Sequence, residues 1–371
     1  MTKILVTGAD GFIGKNLCIR AAERDYSVVQ FDRSHSSSEL SAMLNGVDAV
    51  IHLAGVNRPL SDDEFITGNA DLTINLCNAI AVQPHKPMLV FASSMQATQP
   101  NAYGKSKLIA ENAVRILANQ HGVKVHIYRL PNVFGKWCKP NYNSVVATFC
   151  HNITQDLPIQ INDASKVLDL VYVDDVVNGF LKIITEDDKR VDQTITPQYS
   201  ATLGELAALI KNFKESRNTG IVEPVGTGFT RALYSTYISY LAPQQFVYPL
   251  TKHADPRGEF VEMLKTQNSG QFSYFTAFPG VTRGGHYHHT KTEKFLVIRG
   301  SAKFGFRHIV TDEQYEINTN GGEPQVVETV PGWTHDITNV GNDEMIVMLW
   351  ANEIFNREIP DTVTCPVSIT N

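Results

Sequence analysis

Two groups of residues in this 371-residue chain have the types and spacing that chemistry requires. The first is Ser94, Tyr103 and Lys107. Positions 103 and 107 lie one helical turn apart, so both side chains fall on one face. A free phenol titrates near 10 and is a poor acid–base group at neutral pH. An ammonium one turn away favours the phenolate and is expected to move the phenol toward working range. A serine hydroxyl nearby can orient a carbonyl, whose oxygen takes a proton from Tyr103 as hydride reaches its carbon. The second group is His286, His288, Glu293 and His335. His286 and His288 share one face of an extended strand. Glu293 can reach back from the next strand, and His335 can close the site. Three imidazoles and one carboxylate suit zinc, iron or manganese, with zinc preferred.

The first group needs a frame that holds a hydride donor. Ile4-Leu5-Val6 reads as a buried strand and Lys15 to Arg24 as a helix. Between them runs Thr7-Gly8-Ala9-Asp10-Gly11-Phe12-Ile13-Gly14. Glycines at 8, 11 and 14 let the turn close and let backbone approach a ligand. The N–H groups opening the helix then face a pyrophosphate, the pattern of a dinucleotide site. Further strands are expected at 28–31, 49–54 and 88–92, with helices between them, for example around 71–81. That alternation predicts an α/β, doubly wound parallel sheet of Rossmann type. Ligands sit beyond the carboxyl ends of such strands, where the Gly-rich turn, His52-Leu53-Ala54-Gly55 and Ser93-Ser94 all fall. The second strand ends in Asp32-Arg33. The acid suits the ribose hydroxyl of NAD and the arginine the 2′-phosphate of NADP, and the residues alone leave both open.

The second group needs a different frame. After Leu241-Ala242-Pro243 helical periodicity fades. Short alternating runs bounded by Gly and Pro follow, at 272–278, 294–298, 302–308, 326–330 and 345–349. These predict a β-sandwich or barrel of jelly-roll type. The expected domains are therefore 1–243 and 244–371.

Composition excludes several classes. The net charge is −6 and no basic block is present, which argues against nucleic acid as a partner. No apolar run is long enough to cross a bilayer. The first strand begins almost at Met1, leaving no room for a signal peptide. The five cysteines are scattered and lack C-x-x-C spacing, so reduced thiols in a cytoplasmic protein are expected.

The N-terminal part resembles the extended short-chain dehydrogenases/reductases, a family of nucleotide-sugar epimerases, dehydratases and reductases. The matching residues are Thr7-Gly8-x-x-Gly11-x-x-Gly14, His52-Leu53-Ala54, Ser93-Ser94, Tyr103-x-x-x-Lys107, Arg129-Leu130-Pro131-Asn132-Val133-Phe134-Gly135 and Val173-Asp174-Asp175-Val176. The resemblance implies that Gly8, Gly11, Phe12, Ile13, Gly14, Asp32, Arg33, Leu53, Ala54, Tyr103 and Lys107 hold the cofactor. It implies that Asn132 holds the sugar nucleotide. Only eight residues separate Ser94 from Tyr103, shorter than the family's usual loop, which leaves Ser93 and Ser94 both open as the active hydroxyl. The polar and aromatic stretch 136–144 follows, in which Lys136 and Asn141 could meet a diphosphate or an N-acetyl group. A plain surface loop is the competing reading.

The C-terminal part resembles cupins through Gly280-x5-His286-x-His288-x4-Glu293-x6-Gly300 and Gly332-x-x-His335-x-x-x-Asn339. Asp255-Pro256-Arg257-Gly258-Glu259-Phe260-Val261-Glu262 and Val281-Thr282-Arg283-Gly284-Gly285-His286-Tyr287 are similar to stretches of nucleotide-sugar 3,5-epimerases. Arg257 and Arg283 are the implied substrate contacts. That likeness makes His286 a general base, whereas the cupin likeness makes it a metal ligand. The ligand role is favoured, because His288, Glu293 and His335 complete the set. Tyr287, His289 and Lys291 are then candidate epimerising bases by proximity.

Across both halves the chain resembles bifunctional enzymes of capsular polysaccharide and O-antigen synthesis that make UDP-N-acetyl-L-fucosamine precursors. The resemblance implies C3 epimerisation of a UDP-2-acetamido-2,6-dideoxy-4-hexulose in the cupin. NADPH reduction of C4 would follow, giving UDP-2-acetamido-2,6-dideoxy-L-talose. It also implies a homodimer through the cupin. A reductase whose cupin only binds or dimerises, and a non-enzymatic NADP(H) sensor, are the alternatives.

Overall fold

Ile4, Leu5 and Val6 have no exposed surface, because strand β1 (Lys3–Thr7) runs between two parallel neighbours. These are β2 (Ser27–Phe31) and β3 (Ala49–His52). A strand covered on both faces must be apolar at every position, not at alternate ones. β4 (Met88–Ser94) and β5 (Val125–Leu130) extend the sheet, and Asp192–Gln193 closes it as a sixth strand. The order β2-β1-β3-β4-β5 reverses direction between β1 and β3. A parallel sheet opens a ligand crevice at such a reversal, beyond the carboxyl ends of those two strands. The computed structural model describes residues 1–250, 252–255, 258–261, 264–266, 270–353 and 358–368.

Helices lie on this sheet as the spacing predicts. Helix Phe12–Ala22 follows the Gly-rich turn, and Leu72–Ala81 continues from a π-helical turn at Ile66–Asp71. Helix Ala102–His121 begins where the Asn101 side chain accepts from Gly104 N–H at 2.7 Å. It ends at Gly122, whose φ of 64° is a left-handed stop. Ala110, Val114 and Leu117 of this helix pack on Leu89, Phe91 and Ile127 of the sheet. That contact fixes which face carries positions 103 and 107.

Two five-stranded antiparallel sheets make up the C-terminal part. One runs Val247–Pro249, Gln325–Glu328, Glu293–Arg299, Met345–Ala351, Gln271–Ala277; the other runs Gln314–Asn320, Ser301–His308, Trp333–Asn339, Thr282–Tyr287, Val363–Thr364. Phe295, Phe304, Phe306, Ile337 and Val347 fill the space they enclose. Apolar residues alternate with polar ones along Ser301–His308 and Gln314–Asn320, as half-buried strands require. The architecture is a Rossmann-type parallel sheet followed by a jelly-roll cupin.

The chain packs as two compact units. One comprises Met1–Phe134, Tyr142–Ser144 and Leu168–Ala201; the other comprises Gly135–Asn141, Val145–Val167 and the described residues from Thr202 onward. Residue 243 marks the change from helices to strands, while the second unit also takes in helices Val145–Thr154, Leu203–Thr219 and Gly228–Ile238. An ion triad shows why these helices belong with the cupin. Arg217 on helix Leu203–Thr219 bonds one oxygen of Glu328, and Lys294 bonds the other. Burial alone would raise the Glu328 carboxyl and lower the Lys294 amine. Their pairing reverses both shifts. Glu328→Gln leaves two buried cations without their anion and is expected to lower the stability of this unit by about 3–5 kcal/mol, read by denaturant unfolding.

Candidate functional sites

The Gly-rich turn is closed by contacts that only glycine permits. Gly8 has φ +70°, and a Cβ there would stand 2.8 Å from the Ala54 nitrogen. A Cβ on Gly14 would stand 2.1 Å from the Gly8 carbonyl oxygen. Among the described residues no side chain caps helix Phe12–Ala22, and its first turn carries no acid. Its N–H groups and positive end, with Phe12 and Ile13 in the first turn, are thus available to a pyrophosphate. Gly14→Ala must strain the turn by ~1–3 kcal/mol, so dinucleotide binding is expected to weaken about 10- to 100-fold. Fluorescence titration measures this.

Across the crevice, Thr7 Oγ1 accepts from the N–H groups of Leu53 and Ala54 at 3.1 Å each. It also lies 2.7 Å from His52 Nδ1, while His52 Nε2 is 2.9 Å from Thr73 Oγ1. His52 is fully buried; burial, then Lys107, push it down to about 3. It is therefore a neutral strut at physiological pH. At the end of β2, Asp32 Oδ1 takes the Ser34 N–H at 2.8 Å and the Ser34 hydroxyl at 2.5 Å, with His35 Nδ1 at 3.0 Å. The next residue, Arg33, is exposed.

The two serines separate at the end of β4. Ser93 donates to buried Glu111 Oε1 at 2.5 Å, and the exposed Arg129 grips the same carboxylate through bonds of 2.9 and 2.7 Å. Ser94 Oγ instead accepts from the Gln96 N–H at 3.2 Å and stands near enough to the Tyr103 phenol to influence it. Strand alternation turns one serine into the sheet's packing and the other toward the phenol. Tyr103 itself departs from the expected titration. Burial raises it above the usual phenol value, and the nearby Ser94 hydroxyl opposes that rise. The Lys107 ammonium is held elsewhere, donating to the Ala92 carbonyl at 3.2 Å and lying 5.1 Å from the Phe91 ring centre. Burial pushes Lys107 down to about 8, with Glu111 opposing.

Asn69 belongs to this crevice, although sequence reasoning passed over it. Its amide brackets Val56, accepting from the N–H and donating to the carbonyl at 2.9 Å each, and it donates to Ser106 at 3.0 Å. It sits on the π-helical turn, an irregularity frequent at functional sites. Asn132 lies exposed on strand Asn132–Phe134, its amide donating to the Asp169 carbonyl at 2.9 Å.

In the second unit the four expected ligands come together. Nitrogen or oxygen atoms of His286, His288, Glu293 and His335 all lie within 4.8 Å of one another. Glu293 Oε2 is 3.2 Å from His288 Nε2 and 3.5 Å from His335 Nε2. The pairing His286↔His335 brings one imidazole from each of two neighbouring strands to the same face. A bulge between Gly284 and His286 changes the strand's phase there. Arg283 pairs with Ile337, two residues from His335, so Arg283 and His286 face the same side despite their odd spacing. Gly284 and Gly285, at φ +102° and +75°, make the bulge attainable. Arg283 lies 5.0 Å from the Phe275 ring centre.

The protonation states suit a cation. Burial and the neighbouring imidazoles His335 and His288 push His286 down to about 3; burial also lowers His335. Burial opposes ionisation of Glu293, but the adjoining His288, His335 and Lys291 outweigh it and hold the carboxyl well below its usual range. His288 Nδ1 lies 2.5 Å from the Asp361 carbonyl, which can only accept, so Nδ1 holds the proton and Nε2 its lone pair. In the neutral ring Nε2 is then the lone-pair atom, and it lies 3.2 Å from the Glu293 carboxylate oxygen. Both His335 ring nitrogens are buried without a hydrogen-bond partner among the described residues. A divalent ion would take one nitrogen of each imidazole together with the Glu293 carboxylate, so the residues fit one.

The remaining expected residues are dispersed. Lys291 reaches the cluster, with Nζ 2.7 Å from Glu293 Oε1. Tyr287 ends strand Thr282–Tyr287 and His289 lies in the loop beyond it, their rings 5.5 Å apart. Lys136 is buried in the second unit beneath Trp137, at 5.3 Å from its ring centre. Asn141 is exposed, its backbone N–H donating to Thr148 at 3.0 Å. Stretch 135–141 is a docked segment: Trp137 donates to His308 at 3.2 Å and lies against Gly332. Arg257 lies outside the described residues. Among the described residues no helix is long and apolar enough to cross a membrane.

A dinucleotide turn, a Ser–Tyr–Lys face and a following double-sheet barrel define an extended short-chain dehydrogenase/reductase fused to a cupin. The model of the NAD dependent epimerase/dehydratase family matches residues 4–196, and that of the polysaccharide biosynthesis C-terminal domain matches 253–363. The chain belongs to the NAD-dependent epimerase/dehydratase family, and a nicotinamide cofactor comes with it. It is 56% identical to a UDP-2-acetamido-2,6-beta-L-arabino-hexul-4-ose reductase of Pseudomonas aeruginosa, over 98% of this chain and 99% of that one. The solved capsular polysaccharide assembling protein CapF of Staphylococcus aureus superposes with a TM-score of 0.67 at 42% identity, covering 98% of this chain and 99% of its own. A dTDP-4-dehydro-6-deoxyglucose reductase of Escherichia coli is 25% identical over 60% of this chain and 86% of its own. In sequence and in fold the chain is CapF-like along its whole length.

Proposed function

We propose that this chain acts twice on a UDP-2-acetamido-2,6-dideoxy-4-hexulose. The cupin epimerises C3, and the Rossmann unit then reduces the C4 ketone with NADPH, giving UDP-2-acetamido-2,6-dideoxy-L-talose. The product serves UDP-N-acetyl-L-fucosamine formation for capsule or O-antigen. The observation that carries the reductase step is the placing of Ser94 at the carboxyl end of β4 beside Tyr103 and Lys107 on the helix Ala102–His121, in a full-length relative of a UDP-hexulose reductase.

NADPH, when bound, supplies hydride to C4, and a divalent ion, zinc by preference, supplies positive charge at the cupin site. Gly8, Gly11, Phe12, Ile13 and Gly14 receive the pyrophosphate, with Leu53 and Ala54 lining the opposite wall. Asp32 Oδ1 is already engaged by Ser34 and His35, which leaves Arg33 to receive a 2′-phosphate and favours NADPH over NADH. Ser94 hydrogen-bonds the C4 oxygen. Tyr103 gives that oxygen its proton, and a phenol that burial keeps protonated is the form an acid needs. Lys107 steadies the site with its charge. Asn132, Lys136, Asn141, Arg257 and Arg283 are the proposed sugar-nucleotide contacts.

In the cupin, His286, His288, Glu293 and His335 hold the ion. The C4 ketone acidifies the C3 proton; Tyr287, His289 and Lys291 are the candidate groups that take that proton from one face and return one to the other. The protein acts as a cytoplasmic homodimer joined through the cupin. One observation favours a narrower reading: the relative's name specifies a reductase alone. Under that reading the cupin binds or dimerises without chemistry. NMR of the product formed from the 4-keto UDP-sugar and NADPH separates the two, since only the first inverts C3. No NADPH consumption at all would contradict both.

A further inference from the structure

Three successive backbone N–H groups of the loop between His288 and Glu293 converge on one distant carboxylate. His289, Thr290 and Lys291 donate to Asp361 at 2.9, 2.7 and 2.8 Å, and the Thr290 hydroxyl adds a bond of 2.8 Å. The backbone carbonyl of the same Asp361 accepts from His288 Nδ1 at 2.5 Å. One residue thus grips the ligand loop by its side chain and a ligand imidazole by its main chain. The grip is itself braced. Arg231, on helix Gly228–Ile238, lies 2.7 Å from Glu353 and 3.8 Å from Asp361, and it bonds the Thr290 hydroxyl. Ser235 on the same helix donates to the Thr290 carbonyl at 2.7 Å. Only 13% of the Asp361 side chain is exposed.

We propose that Asp361 is the positioning residue of the cupin cation centre, with Arg231 as its brace. The inference rests on the cation reading given above. The Asp361 carbonyl can only accept a proton, so it fixes the His288 tautomer that leaves Nε2 as a donor atom for the ion. Its carboxylate fills the nest of three N–H groups and so sets the distance between His288 and Glu293 along the chain. Without that carboxylate the N–H groups turn to water, the loop relaxes, and His288 and Glu293 no longer converge. Partners of this kind hold metal ligands in orientation, and losing one costs about 10- to 100-fold in affinity.

The test is zinc affinity of the full chain, measured by competition with a chromophoric chelator, with cobalt as a spectroscopic probe. Wild type is expected to take up zinc stoichiometrically. Asp361→Ala is expected to bind zinc ~10- to 100-fold more weakly and to shift the cobalt absorption bands. Asp361→Asn keeps one acceptor oxygen and should lie between the two. Arg231→Gln should show a smaller loss of the same kind. NADPH binding should be unchanged in every variant, which reports that the other unit is intact. A role confined to folding would lower the melting temperature yet leave the zinc affinity and cobalt bands of the folded protein unaltered, and that result overturns the proposal. If Asp361→Ala does not fold, Asp361→Asn and Arg231→Gln decide: wild-type affinity in both overturns it. A wild-type chain that takes up no zinc is a distinct outcome, which overturns the cation reading and this inference with it.

Discussion

Tyr103→Phe is expected to lower kcat for ketone reduction by about 10²–10⁴ with little loss of NADPH affinity. The substitution removes one oxygen and keeps the ring, which lies 5.5 Å from Phe65. The cofactor turn is formed by other residues and should not respond. The size of the effect follows from what the phenol supplies. As hydride reaches C4 the carbonyl oxygen gains charge, and without a proton donor that charge must be carried to water. The pH dependence gives an independent check. An acid catalyst works in its protonated form and fails as pH rises through its pKa. Burial places the phenol above its ordinary range, so its own loss comes late. Lys107, pushed down to about 8 by burial, loses its charge first. The alkaline fall in kcat is therefore expected to begin near 8, before the phenol ionises. Undiminished turnover in the phenylalanine variant would remove Tyr103 from the mechanism.

His288→Ala carries the second large effect. It is expected to slow exchange of the C3 proton by about a hundredfold or more, because a bound cation contributes several kcal/mol of charge stabilisation. C4 reduction of a substrate already inverted at C3 should proceed at close to the wild-type rate. A strong chelator should reproduce the loss in the wild type, and added zinc should restore it. Exchange that survives both treatments would leave the cupin as a binding module. The two variants together form a crossed test: one abolishes reduction and spares exchange, the other does the reverse.

Much of this was legible because local chemistry and global packing agree. Ile4-Leu5-Val6 is continuously apolar since β1 is covered on both faces, and the three glycines of the turn occupy places where a Cβ meets backbone. The four candidate cation ligands could be read from motif spacing, and the structure gathers them within 4.8 Å. What escaped depends on contacts far apart in sequence. Ser93 and Ser94 are indistinguishable as letters, and only the partners Glu111 and Tyr103 separate them. The phenol's titration was misjudged because helical spacing shows Lys107 to be on the same face but not that the Ala92 carbonyl holds it. Arg283 and His286 have odd spacing, so simple alternation places them on opposite faces; the bulge enabled by Gly284-Gly285 reverses that. Asp361 gives no signal of its own, since its partners lie some seventy residues upstream. The stretch 135–141 reads as a polar loop, yet Trp137 is seated against His308 and Gly332.

Two pockets handling one ketosugar in succession is the core of the account, and deuterium reports on it directly. The full chain is incubated with the 4-keto UDP-sugar in deuterated water, with and without NADPH, and products are resolved by NMR. The account predicts deuterium at C3 in both samples, with a reduced, C3-inverted sugar where NADPH is present. A reduced product that keeps its original C3 configuration and its C3 proton would contradict it.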